Sequence, residues 1–146
     1  MFSQPFAGDR QAGADCPGTH SNHLGDLPGI KLLDNAQVDH LALPLGKLVD
    51  RYAGVAVLKG SGTLVSSASG AAWICTAGNP GMAAPGMGDV LTGIIAALIA
   101  QGLTPEEGAA IGVEVHARAG DRAAEQGERG LLASDLLAQL RGVVNL

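Results

Sequence analysis

Residues 78–102, GNPGMAAPGMGDVLTGIIAALIAQG, decide how this chain is to be interpreted. Four glycines and two prolines precede Asp89, and an apolar segment follows it at once. The segment from Gly88 to Gln101 predicts a helix whose apolar residues lie nearly all round, so we expect it to be buried. Glycines before a helix leave backbone N–H groups uncovered, and the positive end of the helix dipole points at them. The loop therefore predicts an anion site.

Asp89 lies in the first turn of this predicted helix, where the dipole favours a negative charge. A carboxylate beside an anion site suits a base that takes the proton from a hydroxyl as phosphate is transferred to it. The alternative is that Asp89 only caps the helix and the glycines only form a turn. The motif is neither a P-loop, since GxxxxGK[ST] is absent, nor GxGxxG, since GMGDVL at residues 86–91 lacks the last glycine.

A second candidate site follows VAVLKG, residues 55–60, whose continuous apolar run is typical of a strand buried on both faces. Ligands of open α/β sheets bind beyond the carboxyl ends of strands. Lys59 and the turn after it therefore lie where a nucleotide can be held; the turn consists of Gly60, Ser61, Gly62 and Thr63. The alternative is an ordinary turn with a solvated lysine.

The remaining elements predict one α/β unit. A helix from about Pro44 to Tyr52 precedes the strand, and TLVSS and AAWICTA follow it as a hairpin. Two more helices come after the apolar one, the first with a capping signal at residues 104–107, TPEE. The composition is 47% hydrophobic but only 3% aromatic, which suits an aliphatic core between helices and a sheet.

Bulk properties narrow the class of protein. The net charge is −5 without a cluster of Lys or Arg, so we expect no nucleic-acid partner. No apolar run reaches the ~20 residues of a membrane span, and the start MFSQPFAGDR lacks the features of a signal peptide. Cys16 and Cys75 are far apart and are predicted to be free thiols, which favours a cytoplasmic protein.

The histidines predict no metal site. His20 and His23 have no Cys or carboxylate cluster beside them to complete one. His116 falls among apolar residues of a predicted helix and is interpreted as a packing residue with a satisfied ring.

These motifs together resemble a known family. GNPGMAAPGMGDVLTGIIAAL, preceded by VAVLKGSGTLV and followed by LLASDLL, closely resembles the carboxyl-terminal part of the ADP-dependent NAD(P)H-hydrate dehydratases, which have the ribokinase-like fold. The resemblance covers about residues 44–146. It implies the carboxyl-terminal half of a ribokinase-like fold, a partial central sheet flanked by helices, with residues 1–43 as a loop-rich segment of uncertain structure.

The resemblance also implies a reaction. Hydrated NADH or NADPH is dehydrated to the normal cofactor, and ADP, the phosphoryl donor, becomes AMP and phosphate. Asp89 would be the catalytic base against the nicotinamide, while Gly88 and residues 59–63 would bind the adenine nucleotide, accompanied by Mg²⁺. GTHSNHLGDLPG can be laid on the family's TPH segment, which makes His20 a candidate substrate contact. Because the family often forms oligomers, a homo-oligomer is also expected.

The sequence departs from the family mainly in length. A full domain of this kind is longer, and its amino-terminal half has no counterpart here, so the chain is interpreted as truncated. Two further hypotheses stay open: a catalytically inactive nucleotide-binding remnant, and another ribokinase-like small-molecule kinase. Sugar kinases share Gly-x-Gly-Asp, although KGSGT together with GNPGMA favours the dehydratases.

Overall fold

The computed structural model describes residues 29–32 and 43–145 and has an α/β arrangement, as predicted. The described strands form one sheet of order β1-β4-β3-β2, in which every pairing is antiparallel. The strands are β1 (Ile30–Leu32), β2 (Val55–Leu58), β3 (Thr63–Ser67) and β4 (Ala72–Cys75). The helices are α1 (Leu43–Tyr52), α2 (Met87–Ala100), α3 (Pro105–Ala123) and α4 (Ala133–Val144), with 3₁₀ turns at Pro80–Met82 and Ala124–Gln126.

Helix α3 is the centre of the core. It packs on the sheet through small residues such as Ala110 and Val113, which meet Val65 and Trp73 from the central strands. Helix α1 also contacts β2 and β3. Because successive strand residues point to opposite faces, Leu64 is buried on the face opposite Val65.

Two glycines let α2 lie close to α3. A Cβ atom at Gly112 would lie 2.7 Å from Cγ1 of Ile95, and one at Gly108 would lie 2.7 Å from Cγ1 of Ile99. A second apolar cluster joins α3 to α4 and to the loop before α2; it contains Met82, Met87, Ala119, Leu131, Leu136 and Val143. The first turn of α2 is thus packed between the two following helices.

Local signals in the sequence are confirmed where the structure tests them. The hairpin of β3 and β4 forms, and α1 begins one residue before the predicted start. At the start of α3, Thr104 Oγ1 accepts from the Glu107 N–H at 3.3 Å, and Glu107 Oε2 accepts from the Thr104 N–H at 2.9 Å. Strand β1 was not predicted, because its three residues are too few to show the alternation of apolar and polar residues that indicates a strand.

Two burial predictions are wrong. Strand β2 is not buried on both faces: Val55 and Val57 are half-buried and Leu58 is 48% exposed, because β2 is an edge strand of the described sheet. Helix α2 buries Met87 and Leu91 but leaves Ile99 38% exposed, because its contacts with α3 and α4 cover one side of it. Of the helices that the structure describes, none has both the length and the apolar character that a membrane crossing needs.

Candidate functional site

The turn after β2 lies at the carboxyl end of that strand, as the sequence predicted. Lys59, Gly60 and Ser61 are exposed, and Thr63 opens β3. The Thr63 hydroxyl donates to the Gly60 carbonyl oxygen at 3.2 Å, which closes the turn. Gly62 has φ +75°, a conformation that favours glycine, and its Cα faces Ile74. The turn is therefore a defined structure in which Lys59 and Ser61 are exposed.

This turn forms one wall of a cavity of about 350 Å³. The segment after β4 also lines it, and α2 and α3 contribute the apolar side chains of Leu91, Val113 and Ala117 together with His116. The lining residues are Lys59, Gly60, Ser61, Gly62, Thr63, Thr76, Ala77, Gly78, Asn79, Pro80, Met82, Ala83, Leu91, Val113, His116 and Ala117. Its volume is in the range of small-molecule sites, and a lining that combines apolar and polar side chains is typical of such sites.

The glycine-rich loop after β4 is held in place by α3. Both carboxylate oxygens of Asp121 are used: one accepts from the Gly78 N–H and the other from the Asn79 side-chain amide, each at 3.0 Å. A Cβ atom at Gly81 would lie 2.4 Å from the Glu128 carbonyl oxygen, and one at Gly120 would lie 2.3 Å from the Met82 sulfur. The glycines at these two positions therefore permit close packing.

The loop leads into the first turn of α2. Gly86 is the N-cap residue with φ +83°, and the Val90 N–H donates to its carbonyl oxygen at 3.1 Å. Gly88 and Asp89 are exposed, and a Cβ atom at Gly88 would meet no atom within 4 Å. Neither residue lines the cavity, although Leu91 in the same helix does. The backbone around Gly88 is thus open to a ligand from outside the cavity.

His116 connects α3 to this first turn. Its side chain is buried, and ring Nε2 lies 2.9 Å from the carbonyl oxygen of Met87, the first residue of α2. Burial lowers the pKa of His116; the hydrogen bond to Met87 acts against this effect, and the positive charge of Lys59 acts with it. The interpretation of His116 as a packing residue with a satisfied ring is confirmed, yet the residue also lines the cavity.

A buried polar cluster lies beneath the sheet. Glu114 on α3 is 3% exposed. Its Oε1 accepts a hydrogen bond from the Arg118 guanidinium in a salt bridge, and its Oε2 lies 3.6 Å from the Cys75 sulfur. A Cβ atom at Gly29 would overlap the Glu114 carboxylate. Burial raises the pKa of the Cys75 thiol to about 11, and the thiol is free, as predicted for Cys75. This cluster connects β4 to α3, and the absence of a side chain at Gly29 leaves room for the Glu114 carboxylate.

The predicted site residues divide into three groups. Residues 59–63 line the cavity, Gly88 and Asp89 lie outside it at the start of α2, and His20 falls outside the described residues, as do Cys16 and His23. Sequence reasoning missed the contacts of Asp121 and the position of His116 in the cavity lining, since both residues contact parts of the chain that are far away in sequence. In the part of the chain that the structure describes, no three His, Cys, Asp or Glu side chains group as metal ligands do.

Comparisons with known proteins show the family of this chain. A family model described as NAD(P)H-hydrate dehydratase matches residues 25–141. The chain belongs to the NAD(P)H-hydrate dehydratase family. It is 55% identical over 102 residues to the bifunctional NAD(P)H-hydrate repair enzyme of Coxiella burnetii, covering 69% of this chain and 21% of that protein. It is 53% identical over 125 residues to the enzyme of the same name from Escherichia coli, covering 84% and 24%.

Two further relatives bear on the family and the fold. The ADP-dependent (S)-NAD(P)H-hydrate dehydratase of Xanthomonas campestris is 32% identical over 128 residues, covering 84% of this chain and 43% of that protein. The crystal structure of a Bacillus subtilis ADP/ATP-dependent NAD(P)H-hydrate dehydratase, co-crystallised with ATP and Mg²⁺, matches with a TM-score of 0.66 at 24% identity, covering 75% of this chain and 40% of that one. This likeness confirms the partial ribokinase-like fold. The chain spans about a fifth to two fifths of the length of these curated relatives.

Proposed function

We propose that this chain binds an adenine nucleotide in the cavity between the β2–β3 turn and the loop after β4, as part of an ADP-dependent dehydration of hydrated NADH or NADPH. The observation that carries the proposal is that two separate segments of the chain meet at one cavity. Residues 59–63 on the one hand and residues 76–80, 82 and 83 on the other are separate in sequence, yet they line one cavity of about 350 Å³ in a member of the dehydratase family.

The chemistry of the cavity supports a nucleotide. Part of its lining is apolar: the side chains of Leu91, Val113 and Ala117 are available to pack against a purine ring. Its rim carries the Lys59 ammonium group and the Ser61 hydroxyl, which suit phosphate and ribose oxygens. The phosphates would extend toward the start of α2, where the Gly88 amide and the helix dipole favour an anion.

Asp89 is the proposed base at the end of that path. It accepts the proton of the hydroxyl on the hydrated nicotinamide ring, and the hydroxyl oxygen bonds to the β-phosphorus of ADP while the bridging P–O bond breaks and AMP leaves. The ring C–O bond then breaks, phosphate leaves, and loss of a proton from the adjacent carbon restores the double bond. The exposed position of Asp89 supports this role, because a large second substrate can reach it.

Magnesium fits this site as a companion of the phosphates. Mg²⁺ prefers oxygen ligands and usually keeps waters while it is held by one or two carboxylates and the substrate phosphates. The described residues offer Asp89 near the anion site but no cluster of three ligating side chains. The phosphate oxygens of the nucleotide and water molecules would therefore be the main ligands of the ion. The ion would neutralise negative charge on the phosphates.

The proposal is tested with the purified chain by two measurements. Calorimetric titration reports ADP binding, and recovery of NADH absorbance from hydrated NADH reports turnover. We expect Asp89→Asn to keep ADP binding but to lower turnover roughly a hundred- to ten-thousandfold, as loss of a general base does. Asp50→Asn is the matched control, since Asp50 is an exposed carboxylate on α1. Equal turnover in the wild type and Asp89→Asn would contradict the role of Asp89.

A second candidate function is nucleotide binding without turnover. It is favoured by the position of Asp89, which lies outside the cavity, and by the exposed apolar side of α2, which the described residues leave uncovered. This candidate predicts ADP binding that is weakened by Lys59→Ala, with no recovery of NADH absorbance in any variant. The two measurements above therefore separate the enzyme from the binding protein.

A further inference from the structure

His116 occupies a position between two parts of the proposed site. It lies in the middle of α3 with 3% of its surface exposed, and it lines the cavity together with Lys59 and Gly60. From the same position its ring reaches the carbonyl oxygen of Met87 at 2.9 Å. One side chain thus contacts both the nucleotide cavity and the helix that carries Asp89.

The protonation state of the ring follows from its partner. A carbonyl oxygen only accepts hydrogen bonds, so Nε2 carries the proton. Burial lowers the pKa of His116 from 6.5, and the neutral ring therefore predominates at neutral pH. A neutral imidazole has one N–H, so Nδ1 is unprotonated.

The acceptor is in the segment that the proposed chemistry uses. Met87 is the first residue of α2, is 1% exposed, and directly precedes Gly88 and Asp89. The next carbonyl is also held, since the Thr92 hydroxyl donates to the Gly88 carbonyl oxygen at 3.0 Å. The Thr92 bond lies within α2, whereas the His116 bond ties α2 to another helix. The bond from His116 therefore adds a directional contact between helices to the apolar packing of Met87.

We propose that His116 is a positioning residue, whose Nε2–H···O bond to Met87 holds the Gly88 amide and the Asp89 carboxylate in register with the cavity. This role rests on the proposed nucleotide site. It goes beyond packing, because a side chain of similar size without a donor would fill the space but leave the first turn of α2 held only by the apolar packing of Met87. It predicts that the donor, and not the imidazole ring itself, is what the site requires.

Two substitutions separate the donor from the bulk. His116→Gln keeps an N–H donor at a similar distance along the side chain, whereas His116→Leu fills apolar space without one. In the protein without ligand, we expect amide hydrogen exchange at Val90 and Leu91 to be about two- to tenfold faster in His116→Leu, the range that corresponds to one net hydrogen bond. His116→Gln should exchange like the wild type, and amides in the middle of α3 should be unchanged in both variants.

A second measurement compares ADP with adenosine. His116→Leu should weaken ADP binding about two- to tenfold more than it weakens adenosine binding, because the phosphates and not the nucleoside depend on the start of α2. His116→Gln should restore ADP binding. An equal loss of both affinities in His116→Leu, or the same effects in the two variants, would show that the ring acts only through packing and would overturn the proposal.

The exchange measurement keeps this inference separate from the proposed function. If the wild type binds no ADP, the proposed nucleotide site is wrong, whereas the exchange at Val90 and Leu91 still decides whether His116 holds the first turn. If exchange there is the same in all three proteins, the positioning role is wrong whatever the chain binds.

Discussion

Replacing Gly112 with alanine places a methyl group into the contact between α2 and α3. The new Cβ atom would lie 2.7 Å from Cγ1 of Ile95 and 3.4 Å from its Cα. Carbon atoms pack at about 3.5–4.0 Å, so α2 must move by about 1 Å. Rotation of the side chain gives little relief, because Ile95 is β-branched and its χ1 angle is restricted in a helix. Such overpacking costs about 1–3 kcal/mol of unfolding free energy.

The substitution also has a favourable effect that must be removed by a control. Alanine stabilises a helix interior by about 1 kcal/mol relative to glycine. Gly93→Ala has the same gain without the clash, since Gly93 lies within α2 and a Cβ atom there would meet nothing within 4 Å. We therefore expect Gly93→Ala to raise the unfolding free energy, and Gly112→Ala to lie about 1–3 kcal/mol below it.

Urea denaturation followed by circular dichroism measures both free energies on the same protein. The difference between the two variants is the cost of the clash, because the gain in helix propensity cancels. A difference below about 0.5 kcal/mol, the size of ordinary surface effects, would show that α2 and α3 do not approach as closely as described.

Three further predictions concern single groups. Because burial lowers the pKa of His116 below 6.5, its stabilising contribution is present above that pH and is lost as the pH falls; urea titrations at about pH 7.5 and pH 5 should show a larger loss in the wild type than in His116→Gln. In a Cys16→Ser background at about pH 8, alkylation of Cys75 should be at least about a hundredfold slower in the folded protein than in urea, since its pKa is about 11; equal rates would contradict the buried thiol. Thr104→Ala should lower the unfolding free energy by about 1 kcal/mol, and Thr104→Ser should restore most of it, if the capping box forms as described.

Local structure could be predicted from sequence because the partners are near neighbours. The capping box joins residues three apart, Thr104 and Glu107, and the β3–β4 hairpin joins strands separated by a short turn. The position of residues 59–63 at the end of β2 follows from the order of elements in the same way. The family resemblance was also available from motifs, and the match to residues 25–141 confirms it.

Burial and the contacts across the site could not be predicted in this way. The apolar composition of α2 indicated a buried helix, yet Ile99 is partly exposed because the described neighbours cover one side only. The same limit applies to β2, where Leu58 is exposed at the sheet edge. Composition tells which side chains are unfavourable when exposed to water. Whether another element covers them depends on the arrangement of the whole chain.

The sequence by itself determined the four helices, strands β2 to β4, the two glycine-containing loops and the family to which they belong. The tertiary structure decided that residues 59–63 share a cavity with the loop after β4, that Asp89 lies outside it, and that His116 reaches Met87, 29 residues away in the chain. Asp121 similarly reaches Gly78 across 43 residues. Helix caps and turns arise from interactions within a few residues, whereas these contacts exist only after α3 has packed against the sheet and α2, and no local pattern encodes them.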